Sequence, residues 1–555
     1  MAVYLLDYGA GNVRSLVNAV KHLGYDMQVI QSAEDFDKAD KIIFPGVGAF
    51  SKAVVALQEL GYTEPLRRYL AANRPFLGIC VGMQCLFEGS EENPEVAGLG
   101  VLPGLVRRFS SADKTVPHMG WNGVRFLPEG QRWTGVDTTA ETSAYYFVHS
   151  FAVPYTADAP VAGVTLAVTD YGNETFVSAV RRGRIFATQF HPEKSGYAGL
   201  RLLRTFLTAT AGDEGMPATT LAPGSPLATR TRLTKRVIAC LDVRANDHGD
   251  LVVTKGDQYD VRVAAEDGGH VRNLGKPVDL THRYFNEGAD EICLLNITSF
   301  RNSPLADQPM LEVLRRASES VFVPLTIGGG IRDLVDPDGT PRSALEVASI
   351  YFRSGADKVS IGGDAVLAAE AYYASGGQCT GTSAIEQIAR PYGSQAVVVS
   401  IDPRRVYVDS PEAAGAHRAN VVQPAQPGPN GETWCWYQCT VHGGREARDL
   451  DARQLAVAVE ALGAGELLVN CVDQDGTGLG FDHALLRNIR DAVRIPVVAS
   501  SGAGCAAHFS NVFRVCDVDA ALAAGIFHRR EVAIAAVKEQ LHRDGVPVRE
   551  AEATL

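Results

Sequence analysis

The sequence predicts two α/β units on one chain, an open α/β sheet followed by a (β/α)8 barrel. Strand-like apolar runs alternate with helical stretches in the first part, and eight short apolar runs, separated mostly by helix-length segments, make up the second. Between them the segment 211–232 is rich in Ala, Gly, Pro, Thr and Ser and carries no periodicity, which is the composition of a linker. At about 150 residues per domain, 555 residues make three to four units, but barrels reach about 200–250 residues as one domain. Two large units therefore fit as well: 1–210, the linker 211–232, and 233–555.

Composition narrows the function classes. A hydrophobic content of 46% with 21% charged residues excludes a disordered or fibrous chain. The net charge of -12 argues against a nucleic-acid partner, whose phosphates demand a basic surface, yet leaves room for small anions held by local donors. No apolar run reaches about 18 residues, so no membrane partner is expected. The start, MAVYLLDYGAGNVRSL, lacks the basic region and long apolar core of a signal peptide. Ten sparse cysteines read as reduced thiols, and the cytoplasm is the expected compartment. In CWYQCTVH, Cys435, Cys439 and His442 lie close together, but the spacing is wrong for a zinc hairpin and strand packing is the better reading. Neither unit carries a metal or organic cofactor signature.

The strands of the first unit are read as VYLLDY, KIIFPGVG, PFLGICVG, AYYFVHSF and IFATQFHPE, with helices over 12–23 and 51–72. Ligands in open α/β sheets sit at the carboxyl ends of strands. At one such end, GICVGMQ sets Cys80 between Gly78 and Gly82. Small neighbours permit the sharp strand-to-helix turn that exposes a nucleophile, and a helix N-terminus favours thiolate. At another, TQFHPEKS offers His191 to take the thiol proton and Glu193 to orient the ring. Gly46, Val47 and Gly48 in FPGVGAF form a loop whose backbone N–H groups are suited to an oxyanion, although PGVG alone is only a turn.

In the second unit the runs are 237–242, 291–296, 321–327, 358–361, 396–401, 467–471, 495–499 and 519–523. An internal repeat relates the halves: IACLD resembles VVVSID, EGADEI resembles GAGEL, PLTIGGGI resembles PVVASSGAG, and SGADKVSIGG resembles VDAALAAG. Two half-barrels explain this order and place Asp242 and Asp402 on opposite sides of the mouth. Two carboxylates in one pocket suit acid/base work, with helix N-capping as the plain alternative. Glycine clusters at 328–330, 362–363 and 501–504, with Gly525 after the last run, imply one phosphate site in each half. GAGCAA also fits a dinucleotide fingerprint, but no acidic residue follows at about 20 residues; LGKP lacks the P-loop spacing.

Together GICVGMQ, HPEKS and PGVGAF resemble the class I, triad-type glutamine amidotransferases over about residues 1–208. The resemblance implies hydrolysis of glutamine through a cysteinyl thioester. Cys80 is then the nucleophile, His191 the base and acid, and Glu193 the orienting carboxylate. Gly46, Val47 and Gly48 serve the oxyanion, and Gln84 the glutamine. HMGWN and YFVHSF narrow the match to the glutaminase component of the imidazole glycerol phosphate synthases. KRVIACLDV, GGGIRD, DKVSIG, NCVDQDGTG and ASSGAG resemble the cyclase component of the same family over roughly 233–550, and the fused order resembles the single-chain synthases of fungi and plants. That family makes imidazole glycerol phosphate and an aminoimidazole carboxamide ribotide (AICAR) from glutamine and a bis-phosphate ribulosyl intermediate (PRFAR). The reaction belongs to histidine biosynthesis and is linked to purine synthesis. Carried over, Asp242 and Asp402 become the acid/base pair, and Lys255 and Asp475 contact the substrate. Gly329, Gly330 and Gly363 bind one phosphate, and Gly504 and Gly525 the other. Two features depart from the bacterial pattern. Asn296 stands where bacterial relatives often have Asp; a neutral amide positions substrate but moves no protons. The segment 334–345 lengthens the connection before the fourth strand.

Ammonia is mostly ammonium at neutral pH, so a covered route between the sites is needed to keep it nucleophilic. Arg236, Glu291, Lys358 and Glu466 each begin a strand run and in a barrel would ring its bottom with alternating charge. Resemblance to the family's ring at the tunnel entrance makes the four an ammonia gate, and Trp121, Lys194 and Asp357 become contacts between the units. Coupling is expected through Val47: the peptide after it flips to form the oxyanion hole only when the barrel holds substrate. The two units are each other's partners, and a monomer acting on glutamine and PRFAR is expected. Other readings account for less. A different amidotransferase fusion would need an ATP-binding loop, a half-barrel isomerase leaves the first unit without purpose, and a sensor without turnover has no use for both sets of reactive residues.

Overall fold

The computed structural model describes residues 1–9, 11–127, 144–209, 230–245, 251–254, 262–263, 270–271, 277–297 and 309–550. The first unit is built on a mixed eight-stranded sheet in the order Met27–Val29, Val3–Leu5, Lys41–Gly46, Phe76–Cys80, Ile185–Thr188, Glu174–Arg182, Thr165–Tyr171 and Arg125–Phe126. The first five strands are parallel and the last three antiparallel. Ile42, Ile43, Phe44, Leu77 and Ile79 are fully buried, as strands covered on both faces must be. Gly46 pairs in register with Cys80, so the PGVG loop leaves the sheet beside the cysteine.

Two expectations for this unit are corrected. The stretch 51–72 is two helices, Phe50–Glu59 and Thr63–Ala71, broken at Gly61, whose φ of 71° no continuous helix can hold. AYYFVHSF supplies the strand Ala144–His149, but this pairs antiparallel with His118–Gly123 in a separate two-stranded ribbon. An apolar run states that a strand is buried, not which sheet buries it.

The second unit is a closed barrel of eight parallel strands: Arg236–Ala245, Glu291–Asn296, Leu325–Gly328, Lys358–Ile361, Val397–Ile401, Glu466–Asn470, Val497–Ser500 and Ala520–Ala523. The last strand pairs back onto the first and closes it. Each of the eight apolar runs in the sequence supplies one strand. Trp434–Val441, which carries Cys435 and Cys439 as buried free thiols, belongs to a three-stranded insertion with Pro403–Val408 and Glu446–Asp451; His442 lies just beyond it. The segment 334–345 folds into a short hairpin held by Arg342 on Asp336 at 2.9 Å. Among the described residues no helix is long and apolar enough to cross a membrane.

The barrel's amino-terminal end meets the β-ribbon of the first unit. Trp121 on the ribbon is fully buried; its indole N–H donates to the Asp290 carbonyl at 2.9 Å, and the Arg549 guanidinium lies over the ring at 4.1 Å. Lys194 contacts Asp357 at 2.7 Å, and Asn12 donates to the same carboxylate at 2.9 Å. Residues 211–229 of the expected linker lie outside the described residues. Its end is no free connection: Thr231 exchanges hydrogen bonds with Asp170 of the first unit, and Thr234 N donates to the Trp121 carbonyl.

Candidate active sites

Cys80 ends its strand with φ 53° and ψ −108°, a conformation that side chains adopt at a cost of about 1–3 kcal/mol. The crowding around it explains the glycines. A Cβ at Gly82 would lie 2.0 Å from the Phe44 carbonyl oxygen, and one at Gly78 would lie 2.7 Å from that of Gly82. The helix that follows, Val81–Gln84, is a single turn, so its dipole adds less than the sequence suggested. His191 is the titratable neighbour of the Cys80 sulfur. Its Nδ1 meets Glu193 Oε1 at 2.8 Å, and its buried Nε2 has no hydrogen-bond partner among the described residues. Burial opposes charging of the ring, but the Glu193 carboxylate and the Cys80 sulfur outweigh it and hold the His191 pKa well above the usual histidine value.

The PGVG loop lies over this turn, with Gly46 so close that a Cβ there would sit 2.5 Å from Val81 Cβ. The Val47 carbonyl accepts a hydrogen bond from the Tyr8 hydroxyl at 3.1 Å. On its far side the loop touches the barrel: Ala49 N donates to the Pro391 carbonyl at 3.3 Å. Gln84 is buried, and its amide nitrogen donates to the Phe151 carbonyl at 3.0 Å and to Gln189 Oε1 at 3.1 Å.

Arg236, Glu291, Lys358 and Glu466 come together as a closed ring at the barrel bottom, each at most 2% exposed. Arg236 reaches Glu291 at 2.8 Å and also bonds Glu466; Lys358 reaches Glu291 at 2.7 Å and Glu466 at 2.5 Å. Burial works against the Glu291 charge, but Lys358 and Arg236 overcome it and hold its carboxyl below the usual range. Lys358 Nζ also lies 3.6 Å from Met119 Sδ of the ribbon, so the ring adjoins the first unit directly. Above the ring the lumen is apolar, lined by Ile238, Cys240, Val398, Leu468 and Leu522.

At the other end of the barrel a cavity of about 560 Å³ is lined by Asp242, Asp402, Asp475, Gly504 and Gly525. Burial, reinforced by the Asp475 carboxylate, pushes the Asp242 pKa up to about 7. Burial also raises that of Asp402, against hydrogen bonds from Asn470 and Ser400. Glycine is required at 504, where a Cβ would sit 2.2 Å from the Gly478 carbonyl oxygen. Asn296, Gly329, Gly330 and Gly363 do not line this cavity. Gly329 packs on the Asn296 backbone with φ 90°, its would-be Cβ 2.0 Å from the carbonyl oxygen, and Gly363 opens the helix Gly363–Ala374. Lys255 lies outside the described residues.

Several polar residues at these sites escaped the reading of the sequence. Asn470 donates to Asp402 Oδ1 at 3.1 Å and accepts from the Ser501 hydroxyl at 2.5 Å. Its signal was available, since it lies at the end of the sixth strand as Asp402 follows the fifth. Arg529 lines the cavity beside Gly525 and is paired with Glu531 at 2.6 Å. Tyr8 ends the VYLLDY run, and nothing local marks its partner 39 residues away.

A family model described as glutamine amidotransferase class-I matches residues 4–209, and one described as histidine biosynthesis protein matches residues 236–533. The chain is 56% identical over 550 residues to imidazole glycerol phosphate synthase hisHF of Schizosaccharomyces pombe, covering 99% of this chain and 100% of the relative. It is 54% identical to the Emericella nidulans protein of that name, with 99% of each chain covered. The Arabidopsis thaliana relative, whose name adds that it is chloroplastic, is 54% identical across 99% of this chain and 89% of its own. Matched from end to end by single-chain synthases, and folded as a glutaminase-like sheet set on the bottom of a barrel, the chain belongs to the imidazole glycerol phosphate synthase family.

Proposed function

We propose that the chain hydrolyses glutamine at Cys80 and passes the ammonia up the barrel to Asp242 and Asp402, where PRFAR becomes imidazole glycerol phosphate and AICAR. One strand carries this reading. Side chains alternate along Arg236–Ala245, so Arg236, Ile238, Cys240 and Asp242 share the lumen face. Six residues at about 3.3 Å each span about 20 Å along the strand from charged ring to acid, or about 16 Å of the barrel axis at a strand tilt of about 36°.

In the first unit Cys80 Sγ attacks the glutamine amide carbon. His191 Nε2 takes the thiol proton and returns it to the departing ammonia, while Glu193 holds the ring by Nδ1. The backbone N–H after Val47 stabilises the oxyanion once the peptide turns, and water then cleaves the thioester. Ammonia condenses with the PRFAR carbonyl in the barrel, water is lost, and ring closure releases AICAR. Each step moves a proton; Asp242, whose pKa is pushed up to about 7, can hold one near neutrality, and burial raises the Asp402 carboxyl in the same direction. Gly504 and Gly525 line the cavity and would hold one phosphate there, with Asp475 positioning substrate. The assignment of the other phosphate to Gly329, Gly330 and Gly363, and of a positioning role to Asn296, rests on the family resemblance alone, since these residues lie outside the cavity lining. The units act together in a monomer, and the ten cysteines, all free, suit the reducing cytoplasm.

The test supplies amide-¹⁵N glutamine with PRFAR in excess unlabelled ammonium. Label retained in the imidazole product supports both half-reactions and a covered route; product carrying only solvent nitrogen would remove the route. Lys358→Ala is the sharper probe. It leaves two buried glutamates with one cation, at a cost of about 3–5 kcal/mol in stability. The surplus negative charge holds ammonia as ammonium, so glutamate formed per imidazole product should rise several-fold. An unchanged ratio would deny the ring a part in passage.

The Tyr8 hydrogen bond supports the coupling through Val47. It ties down the carbonyl of the peptide that must turn, and one such bond is worth about 1 kcal/mol, or about fivefold in population. Tyr8→Phe should therefore raise glutamate release without PRFAR by about fivefold and leave the PRFAR-saturated rate nearly unchanged. A basal rate equal to that of the native chain would show that this bond does not hold the loop.

A further inference from the structure

We propose that Gln189 is a positioning residue for glutamine hydrolysis, holding the Cys80 sulfur by a hydrogen bond from its side-chain amide. The role rests on the reading of Cys80 as nucleophile. Gln189 follows the strand Ile185–Thr188 and is 1% exposed, and its Nε2 lies 3.4 Å from Cys80 Sγ. A buried amide at that distance does more than fill space, because a donor aimed at sulfur stabilises the negative charge that the attacking thiolate carries.

The amide is held in this orientation. Gln189 Oε1 accepts from Gln84 Nε2 at 3.1 Å, and Gln84 Nε2 also donates to the Phe151 carbonyl at 3.0 Å. Turning the Gln189 amide over would set two NH₂ groups against each other and point an oxygen at the sulfur, leaving buried groups unpaired. Its backbone is fixed as well, with Gln189 N donating to the Ser178 carbonyl at 2.9 Å. Cys80 is thus addressed from two directions, by the His191 ring that takes its proton and by the Gln189 amide. When the thioester is cleaved the thiolate departs, and the same donor meets it again. Gln189 accordingly acts on kcat in both half-steps. Since it reaches the sulfur rather than the glutamine, it has little effect on KM.

The experiment uses the full chain and follows iodoacetamide labelling of Cys80 by peptide mass spectrometry, because Cys379 and Cys505 are exposed thiols. Gln189→Met removes the donor at similar size, and labelling of Cys80 and kcat for glutamine should each fall about fivefold to tenfold, with KM changed less than about twofold. Gln189→Glu keeps the shape but donates only when protonated. Its labelling rate relative to the native chain should therefore climb as pH falls from about 8 to about 5.5, while that of Gln189→Met stays level. Thermal unfolding and circular dichroism of each variant, matching the native chain, report that the first unit is still folded. Equal labelling in native and variant chains at every pH overturns the role, with the Cys80 assignment intact. Native chain labelled at Cys80 yet still turning over glutamine overturns that assignment, and the role of Gln189 with it.

Discussion

Alanine in place of Cys80 is expected to cut glutamine-dependent product formation by at least about a thousandfold while leaving product formation from ammonium within about twofold of native. The asymmetry follows from the geometry. The sulfur is the atom that His191 and the PGVG loop surround, and without it neither group has a bond to make or break. The barrel has its own acids, Asp242 and Asp402, on a cavity reached from the mouth, so dissolved ammonia arrives there without the first unit. Ammonium-driven turnover should rise with pH as free ammonia increases, in native chain and variant alike. Glutamate and imidazole product are measured separately for each nitrogen source. Loss of both activities would mean that the substitution disturbs the barrel as well as the first unit. Retained glutamine turnover would remove Cys80 as nucleophile.

The strand ends made the two candidate centres legible in the sequence, because open sheets and barrels both put chemistry there. The eight barrel runs could be read for the same reason: a parallel strand buried on both faces leaves an uninterrupted apolar word, and Glu291, Lys358 and Glu466 stand out as charges where such words begin. The contacts that arm the sites could not be read this way. Tyr8 finds Val47 only after two strands pair, and Gln189 meets Cys80 across 109 residues. Gln189 sits two positions before His191 inside a run read for its histidine, and a glutamine there carries no local sign of its partner. The ribbon hid for another reason. His118–Gly123 sets only Met119 and Trp121 between His, Gly and Asn, because His118 and Asn122 bond one another, His149 and the Asp170 carbonyl inside the first unit, and so short an alternation does not stand out as a strand.

Asparagine at position 242 should reduce imidazole product by about a hundredfold to ten-thousandfold whichever nitrogen source is supplied, because a general acid or base contributes about that much. Glutamate release should persist, since Cys80 and His191 are untouched. The pH dependence separates this from a misplaced substrate. With its pKa pushed up to about 7, Asp242 changes charge across neutrality, so the native rate of cyclisation should bend there and the Asn variant should lose that bend. The same shift sets the sign for stability. Unfolded, the carboxyl titrates near its ordinary value of about 3.9; folded, it keeps its proton to about 7, so the folded state binds more protons between these limits. Stability from this group is fully present below about pH 4 and is lost as pH rises through 7. Asp242→Asn removes a half-buried charge that faces Asp475, and the variant should therefore melt above the native chain at pH 8 and lose that advantage toward pH 5. Thermal unfolding at the two pH values reads this directly. A variant that melts below the native chain at both would show that Asp242 is a structural cap. A variant more stable at pH 8 and without product would mark a carboxyl kept there against its folding cost, as a group retained for proton transfer should be.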